Sequence, residues 1–293
     1  GRDPQRPPRR AAALIRAQAV MAARPDALHL GSVFEGWDRD AVTAWPAEWE
    51  RPPTAATLHD LLPLSMRGTY LDGAWRDAGL VPWYQACLAE AAAADLLLCN
   101  SAHTLGEAAR FLPGVPAAVI GGAAPAFLAP TDAPSPHPGC VAFLGAGDPR
   151  KNEGTLIRAF ALLPPALRRA HPLAIGHTDP ALLRAQYAAA GLGEGEAVAL
   201  PFIPDAGLPA LLSGAALAVI PSRGEGLGLP ALEAMTCGAP VLVARAGALV
   251  EAQPDPAAQF DPDDAPALAA LLHRWLEDAP ARAALAEAGL ARA

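Results

Sequence analysis

The chain of 293 residues is long enough for about two ordinary domains, and its 52% hydrophobic content can fill the core of each. Its formal net charge of −8 argues against a broad nucleic-acid-binding surface, and the absence of any apolar run of roughly 18 residues predicts no membrane span. Four cysteines without C-x-x-C spacing predict reduced packing residues in a cytoplasmic protein, and these are Cys87, Cys99, Cys140 and Cys237.

The first half of the chain alternates short apolar runs with helical patterns. It opens with "GRDPQRPPRRAAALIR", whose five arginines in sixteen residues we interpret as a solvated tail leading into a helix near residues 9–24. An arm for an anionic membrane or ligand is the alternative interpretation. Strands are predicted at "DALHL", "TAATL", "DLLLC" and "AAVI", and helices are predicted to end near Ala94 and to start from Ser101.

A Pro-rich segment, "APTDAPSPHPG" at residues 129–139, has neither helical nor strand periodicity and predicts a linker. We therefore predict a first domain at 1–133 and a second at 138–293. In the second domain, four apolar runs precede helical patterns, namely "CVAFLG", "PLAIG", "AVALPF" and "ALAVIPS", and a fifth, "PVLVA", precedes a short turn. This alternation predicts an α/β fold of two Rossmann-like domains, each built on a parallel sheet that is covered on both faces.

Polar residues follow the predicted strands at their carboxyl ends, where parallel sheets bind ligands. This pattern predicts a cleft between the two domains. The residues placed there are His59, Asp60, Asn100, Ser101, Gly145, Arg150, Lys151 and the stretch 222–225. Ser101 has a simpler interpretation as the cap of the helix that follows it.

The stretch "SRGEGLGLPALEAMTCGAPV", residues 222–241, predicts a glycine loop followed by a helix. Pro230 suits the first turn of a helix, because its missing N–H would be unpaired there in any case. Gly238 suits the helix end. The predicted helix therefore runs from about Leu229 to Cys237.

Two carboxylates, Glu225 and Glu233, lie eight positions apart on either side of this loop. The backbone N–H groups of Gly226, Leu227 and Gly228 at the helix N-terminus suit a diphosphate. Carboxylates accept hydrogen bonds from sugar hydroxyls, so the stretch predicts a nucleotide-sugar site. The alternative is a solvated Glu225 and a surface Glu233 on an ordinary helix.

The stretch "PSRGEGLGLPALEAMTCGAPV" resembles the E-x7-E signature of glycosyltransferase family 4 (group 1), whose members have the two-domain GT-B fold. The resemblance covers most of the chain from about residue 54 onward. Further similar segments are "TLHDLLPL", "AAADLLLCNSAHTLGEAARFL", "LGAGDPRKNEGTLIRAFALL", "LPALLSGAALAVIPS" and "FDPDDAPALAALL". "GSVFEGWDRDAVT" is similar to a segment of bacterial members that build surface polysaccharides.

The resemblance implies roles for the residues of the second domain. Glu225 is expected to contact hydroxyls of the transferred sugar and Glu233 the ribose diol, while Gly226, Leu227 and Gly228 present backbone donors to the sugar and phosphates. Lys151 matches the phosphate-binding lysine of the family.

Around this lysine the chain departs from the family pattern. Ala146 stands where many members have an arginine, and we expect Arg150 to supply the missing charge. A solvated basic turn is the alternative for Arg150 and Lys151.

Two further pairs complete the implied site. His59 matches the histidine that the family places near the reacting carbon, and Asp60 is expected either to fix its tautomer or to cap the next segment. Phe202 and Ile203 lie where the family holds the nucleotide base, although an apolar pair there is equally a core feature.

The resemblance implies transfer of a hexosyl unit with retention of configuration, in bacterial surface polysaccharide synthesis. Mannose from GDP-mannose is the preferred donor, and the acceptor is a glycan or a lipid-linked glycan. We expect no metal or other cofactor, no nucleic-acid partner, and a cytoplasmic location with peripheral membrane contact left open. "DPDD" at 261–264 is interpreted as a helix cap. The other histidines are expected to be structural or exposed, and these are His29, His103, His137, His171, His177 and His273.

Two alternatives stay open. The first is a non-catalytic nucleotide-sugar-binding scaffold, and the second is another nucleotide enzyme of the same fold, such as an epimerase. Both ends of the chain also depart from the family pattern. The opening strand and glycine-rich loop of the first domain are not seen, and the chain stops before the helix that crosses back to that domain. The resemblance therefore implies an incomplete first domain.

Overall fold

The computed structural model describes residues 7–35, 41–73, 79–177 and 179–293. By internal packing the chain divides into two compact units, Gly1–Gly122 and Ala123–Ala293.

The first unit is built on a four-stranded parallel sheet with the strand order β1-β2-β3-β4. The strands are β1 (Leu28–Leu30), β2 (Thr54–Leu58), β3 (Leu96–Cys99) and β4 (Ala117–Val119). The helices are α1 (Pro7–Ala23), α2 (Leu62–Ser65), α3 (Arg67–Tyr70), α4 (Leu80–Ala92) and α5 (Ala102–Phe111). The core includes the fully buried Leu58 and Leu97, which lie in apolar runs predicted as strands, and the fully buried Leu61, which follows β2.

The second unit has a six-stranded parallel sheet with the order β10-β9-β8-β5-β6-β7. The strands are β5 (Val141–Ala146), β6 (Leu173–His177), β7 (Ala197–Leu200), β8 (Leu217–Ile220), β9 (Val241–Ala244) and β10 (Gln259–Phe260). The helices are α6 (Glu153–Ala161), α7 (Pro165–Ala170), α8 (Pro180–Ala189), α9 (Leu208–Ser213), α10 (Leu229–Thr236), α11 (Leu249–Ala252), α12 (Ala265–Glu277) and α13 (Ala279–Arg292). Short 3-10 helices lie at Pro149–Lys151, Asp205–Gly207 and Pro256–Ala258.

Every residue of β6, β8 and β9 is buried. Strands that are buried along their whole length need cover on both faces of the sheet, as the alternating sequence pattern predicts. Strand order reverses between β5 and β8, which pair directly, with Val141 opposite Leu217. The loops that leave these two strands therefore open at the topological switch point, where such sheets bind ligands.

The Pro-rich segment belongs to the second unit and is not a linker between the two. Leu128 is 3% exposed and packs in the core of the second unit. The N–H of Thr131 donates to Ser213 Oγ at 3.2 Å, and the N–H of Gly139 donates to the Gly214 carbonyl at 2.7 Å. The division therefore falls between Gly122 and Ala123, ahead of the predicted domains 1–133 and 138–293.

The predictions for α10, for the cap at Asp264 and for the cysteines are confirmed. Helix α10 spans Leu229–Thr236, and Gly238 follows it with φ of 78°. The side chain of Asp264 caps α12, because its Oδ1 accepts from the N–H of Ala267 at 2.8 Å. All four cysteines are buried and free of disulfide bonds. Within the residues that the structure describes, no helix is both long enough and apolar enough to cross a membrane.

Candidate active site

Two loops at the switch point bring together three of the predicted site residues. Lys151 lies in the 3-10 turn after β5, and Glu225 lies in the glycine loop after β8. Lys151 Nζ donates to Glu225 Oε1 at 2.7 Å, and Arg150 Nη1 lies 2.7 Å from Glu225 Oε2. Both oxygens of one carboxylate are therefore held by cations from the other loop.

The turn that carries these cations is fixed at both of its ends. Asp148 Oδ1 accepts from the N–H of Arg150 at 3.0 Å and so caps the turn. Asn152 ends it in the left-handed region, with φ of 59°, a conformation that asparagine tolerates better than most residues. Its Nδ2 donates to the carbonyls of Pro221 at 3.0 Å and Pro262 at 2.8 Å.

The backbone of Glu225 is held as closely as its side chain. The N–H of Ala248 donates to the Glu225 carbonyl at 2.9 Å. Next to it, Gly247 has φ of +56°, and a Cβ placed there would lie 2.6 Å from the Glu225 carbonyl oxygen. Only glycine fits this approach. The N–H of Arg223 also donates to the Arg150 carbonyl at 2.7 Å, which joins the two loops through the backbone.

Burial and charge act in opposite directions on Glu225. The residue is 6% exposed, and this burial works to raise its pKa, but the charges of Lys151 and Arg150 outweigh it and hold the pKa below its usual value. Glu225 is therefore an ionised carboxylate inside the protein. Lys151 is itself only 9% exposed, so the alternatives of a solvated Glu225 and a solvated basic turn are wrong.

Glu233 lies half-buried on α10, and there burial outweighs the nearby positive charge. Burial raises its pKa, the charge of Lys151 opposes the rise, and Asp205 adds to it. The surroundings of Glu233 therefore disfavour its charged form. A ligand that donates hydrogen bonds to this carboxylate would offset that effect.

The loop between the two glutamates leads into the N-terminus of α10. Gly226 and Gly228 are buried and Leu227 is half-buried. Gly228 caps the helix with φ of 82°, and a Cβ there would meet Leu249 Cδ2 and Ala252 Cβ at 3.3 Å. Tight packing thus sets the direction in which α10 presents its first N–H groups.

A cavity of about 250 Å³ lies beside this site, at the carboxyl ends of β5, β6 and β7. Phe202, which is 84% exposed, and the half-buried Ile203 form part of its wall. The full lining is Leu144, Gly145, Gly176, His177, Pro201, Phe202, Ile203 and Leu208. The predicted base-holding pair and Gly145 therefore share one apolar cavity.

His177 is a buried member of this wall, as expected of a structural histidine. Its Nδ1 accepts from the N–H of Asp179 at 2.6 Å. The other ring nitrogen, Nε2, therefore carries the hydrogen, and it lies 3.9 Å from Glu153 Oε1.

In the first unit, His59 follows β2 and is fixed by backbone contacts. Its Nε2 lies 2.9 Å from the carbonyl of Gly31. A carbonyl can only accept, so Nε2 carries the hydrogen, and in the neutral imidazole Nδ1 is then a hydrogen-bond acceptor. The carbonyl of His59 accepts from Asn100 Nδ2 at 2.8 Å.

Neighbouring polar residues shape the loop that carries His59. The side chain of Asp60 contacts the start of the next segment, because its Oδ1 accepts from the N–H of Leu62 at 3.1 Å. Ser101 caps α5 through Thr104, as its simpler interpretation has it. The buried Glu107 accepts from the N–H of Leu61 at 3.0 Å and ties the loop to α5.

Four residues that hold the site in place were not predicted from the sequence, and these are Asp148, Asn152, Gly247 and Glu107. Asn152 offered a faint signal, because asparagine directly before a helix suits an unusual backbone conformation. The other three offered none. Across the described ranges, no group of three or more His, Cys, Asp or Glu side chains stands together as metal ligands would.

The chain belongs to the glycosyl transferases group 1 family, whose profile matches residues 133–292. It is 37% identical over 159 residues to O-antigen chain mannosyltransferase B of Escherichia coli, a match that covers 53% of this chain and 41% of that protein. It is 29% identical over 286 residues to the serotype-specific mannosyltransferase WbdA of Escherichia coli, covering 92% of this chain and 35% of that protein. The chain thus spans well under half the length of these relatives.

The fold has a counterpart among solved structures. Sucrose-phosphate synthase from Thermosynechococcus elongatus matches with a TM-score of 0.74 and 23% sequence identity, over 95% of this chain and 72% of that one. An identity this low bears on the fold alone. The predicted α/β fold of GT-B type and the group 1 resemblance are confirmed.

Proposed function

We propose that this chain is the donor-binding and catalytic part of a retaining glycosyltransferase that moves a hexosyl unit from a nucleotide sugar. The observation that carries the proposal is the contact of Lys151 with Glu225 at 2.7 Å, at the switch point of the second unit. At this position in a parallel sheet, where ligands bind, the cation can contact a phosphate and the carboxylate can accept hydrogen bonds from sugar hydroxyls.

Each residue has a role in the proposed reaction. Lys151 stabilises the charge that grows on the diphosphate as it leaves, which is the main electrostatic demand of the transition state. Backbone N–H groups of the loop 226–228 and the N-terminus of α10 add positive potential at the same place. Glu225 accepts hydrogen bonds from the transferred sugar, and Glu233 accepts them from the ribose.

The cavity walled by Phe202 and Ile203 suits the base of the nucleotide. Its apolar lining and the exposed Phe202 ring offer a flat surface for an aromatic ring system. In the first unit, His59 presents Nδ1 as an acceptor, which suits a contact with a sugar hydroxyl of the donor or of the acceptor.

Mannose from GDP-mannose is the proposed donor, and a glycan or lipid-linked glycan of a bacterial surface polysaccharide is the proposed acceptor. Support comes from the names of the two Escherichia coli relatives, both mannosyltransferases and one of them an O-antigen enzyme. We further propose that transfer requires no metal, since Lys151 and the α10 N-terminus offer positive charge where the diphosphate would lie. Peripheral contact with the inner face of the membrane is proposed for the lipid-linked acceptor.

Calorimetric titration with GDP, UDP and ADP tests the donor site, with Glu233→Ala as the variant. We expect one nucleotide to bind and Glu233→Ala to weaken it by about 1.5–3 kcal/mol, the range for hydrogen bonds to a charged group. Equal affinity in the variant would remove Glu233 from the site. Incubation with GDP-mannose, with and without EDTA, then tests turnover and the metal requirement.

A non-catalytic nucleotide-sugar-binding scaffold is the second candidate. It is favoured by Ala146, which stands where many family members have an arginine. The two candidates differ in turnover, because a scaffold would bind GDP-mannose and release no GDP in the presence of acceptor glycans.

A further inference from the structure

Two adjacent cations reach Glu225, and they are constrained to different degrees. The guanidinium of Arg150 contacts three protein oxygens. Its Nε donates to Asp148 Oδ2 at 3.2 Å, and its Nη1 donates to the Gly224 carbonyl at 3.1 Å and lies 2.7 Å from Glu225 Oε2. The ammonium of Lys151 donates to Glu225 Oε1 at 2.7 Å.

The chemistry of the two side chains makes this difference matter. A guanidinium is a planar fork whose donors have fixed directions, so Arg150 cannot turn toward a new anion without losing contacts to both loops. Its backbone is fixed as well, because its carbonyl accepts from the N–H of Arg223 at 2.7 Å. An ammonium is a compact charge on a flexible stem, and Lys151 can exchange one oxygen for another at little cost.

We propose that Arg150 is a positioning residue that holds Glu225, and that Lys151 alone is the cation that moves from Glu225 to the diphosphate. The inference rests on the proposed function and replaces the expectation that Arg150 supplies the phosphate charge missing at Ala146. When Lys151 turns to the diphosphate, Glu225 Oε1 becomes available to a sugar hydroxyl while Oε2 stays on Arg150. Binding of the diphosphate thereby prepares the carboxylate for the sugar.

The test compares how much each cation contributes to the binding affinity for three ligands. Calorimetric titrations of GMP, GDP and GDP-mannose are made with the wild type, Arg150→Gln and Lys151→Gln. Arg169→Gln is the matched control, since that side chain is 60% exposed, lies on α7 away from both loops and pairs with Glu196 at 3.7 Å. The ratio of GDP to GMP affinity reports the contact with the second phosphate. The ratio of GDP-mannose to GDP affinity reports the contact with the sugar.

We expect Lys151→Gln to lower the GDP-to-GMP ratio about tenfold or more. Arg150→Gln should keep that ratio within about threefold of the wild type and lower the GDP-mannose-to-GDP ratio at least fivefold, and the control should change neither. If Arg150→Gln lowers the GDP-to-GMP ratio as much as Lys151→Gln does, Arg150 binds phosphate and the inference is overturned.

Failure of the proposed function would look different, because the wild type would then bind none of the three ligands. The contact between Arg150 and Glu225 is tested in that case through the pH dependence of unfolding. The charged groups that face Glu225 are Lys151 and Arg150, with Asp148 beside Arg150 and Glu233 beside Lys151. Loss of Arg150 should make the acid-induced loss of stability smaller, because it raises the pKa of Glu225 in the folded protein toward the value in the unfolded chain, and this difference from the wild type should vanish in a Glu225→Gln background. An equal difference in both backgrounds would overturn the inference.

Discussion

At the scale of single residues, the site depends on a close approach between two stretches of backbone. A methyl group on Gly247 would lie 2.6 Å from the carbonyl oxygen and 2.7 Å from the nitrogen of Glu225, and neither atom can move without moving the site. We expect Gly247→Ala to lower the free energy of unfolding by about 2–5 kcal/mol, the sum of overpacking and a left-handed backbone. Urea denaturation measures this loss.

A second glycine serves as the control. Gly191 has φ of +74° with no atom within 4 Å of a Cβ placed there, so Gly191→Ala carries only the backbone cost of about 1–2 kcal/mol. Equal losses in the two variants would mean that the contact with Glu225 contributes nothing.

Glu233 illustrates how a ligand-binding group lowers stability. Its pKa in the folded protein is raised, chiefly by burial, so the stability that it contributes is present at low pH and is lost as the pH rises through the folded pKa. Glu233→Gln has no charge to bury. We therefore expect this variant to gain stability relative to the wild type as the pH rises above the usual pKa of a glutamate, while its affinity for the nucleotide falls. Urea denaturation at pH values on either side of that point measures the effect, and a difference independent of pH would contradict it.

The sequence predicted the residues whose charge is conspicuous. Of the residues that it missed, Asn152, Gly247 and Glu107 have partners that are far away along the chain. Glu225 and Lys151 stand out because each is a charged residue just beyond an apolar strand. Asn152 acts through the carbonyls of Pro221 and Pro262, which lie 69 and 110 positions away. Contacts at such separations follow from the folded topology, and no local pattern encodes them.

At the scale of elements, Asn152 joins the turn after β5 to two other segments. It combines a left-handed backbone with hydrogen bonds to two carbonyls. We expect Asn152→Gly to lose about 1–3 kcal/mol for the lost hydrogen bonds, and Asn152→Ala to lose about 1 kcal/mol more for the left-handed backbone. The alanine variant would thus be less stable than the glycine variant, whereas within a helix alanine is the more stabilising of the two residues. Chemical denaturation of both variants measures this difference. An alanine variant as stable as the glycine variant would show that the left-handed backbone of residue 152 carries no cost.

The longer elements could be predicted because each carries at least one full period of its pattern. Strands β5, β6 and β8 and helices α10 and α12 lie where alternating apolar runs and helical patterns predict them. The elements without a prediction are α2, α3, α7, α11 and β10, which have two to six residues each. So short a segment shows no period, and its conformation is set by the elements around it.

At the scale of the whole molecule, the order of strands decides where the site lies, and this order could not be derived from periodicity. The neighbours β5 and β8 are separated in sequence by two other strands. Their adjacency creates the switch point that brings Lys151 to Glu225. The family resemblance supplied the fold instead, because it compares the chain with proteins whose topology is already fixed.

The division of the chain gives the last prediction. Composition marks residues 129–139 as a linker, since proline disrupts helix and strand periods, but composition does not report what a segment packs against. Leu128, just ahead of this segment, is 3% exposed in the second core. A fragment 138–293 would lack it, whereas a fragment 123–293 would retain it. Burial of one leucine contributes about 1.5–3 kcal/mol, so we expect the longer fragment to be more stable by at least this amount in urea denaturation.

Substitutions of two adjacent side chains distinguish the effect of packing Leu128 in the core from the effect of fragment length. In the fragment 123–293, Leu128→Ala should reproduce most of the loss, because it removes the buried side chain and leaves the backbone contacts of Thr131 and Gly139. Phe127→Ala is the matched control, since Phe127 is larger but 50% exposed, and its loss should stay well below that of Leu128→Ala. If the two fragments unfold at the same urea concentration, the second unit begins after the Pro-rich segment and the segment is a linker after all.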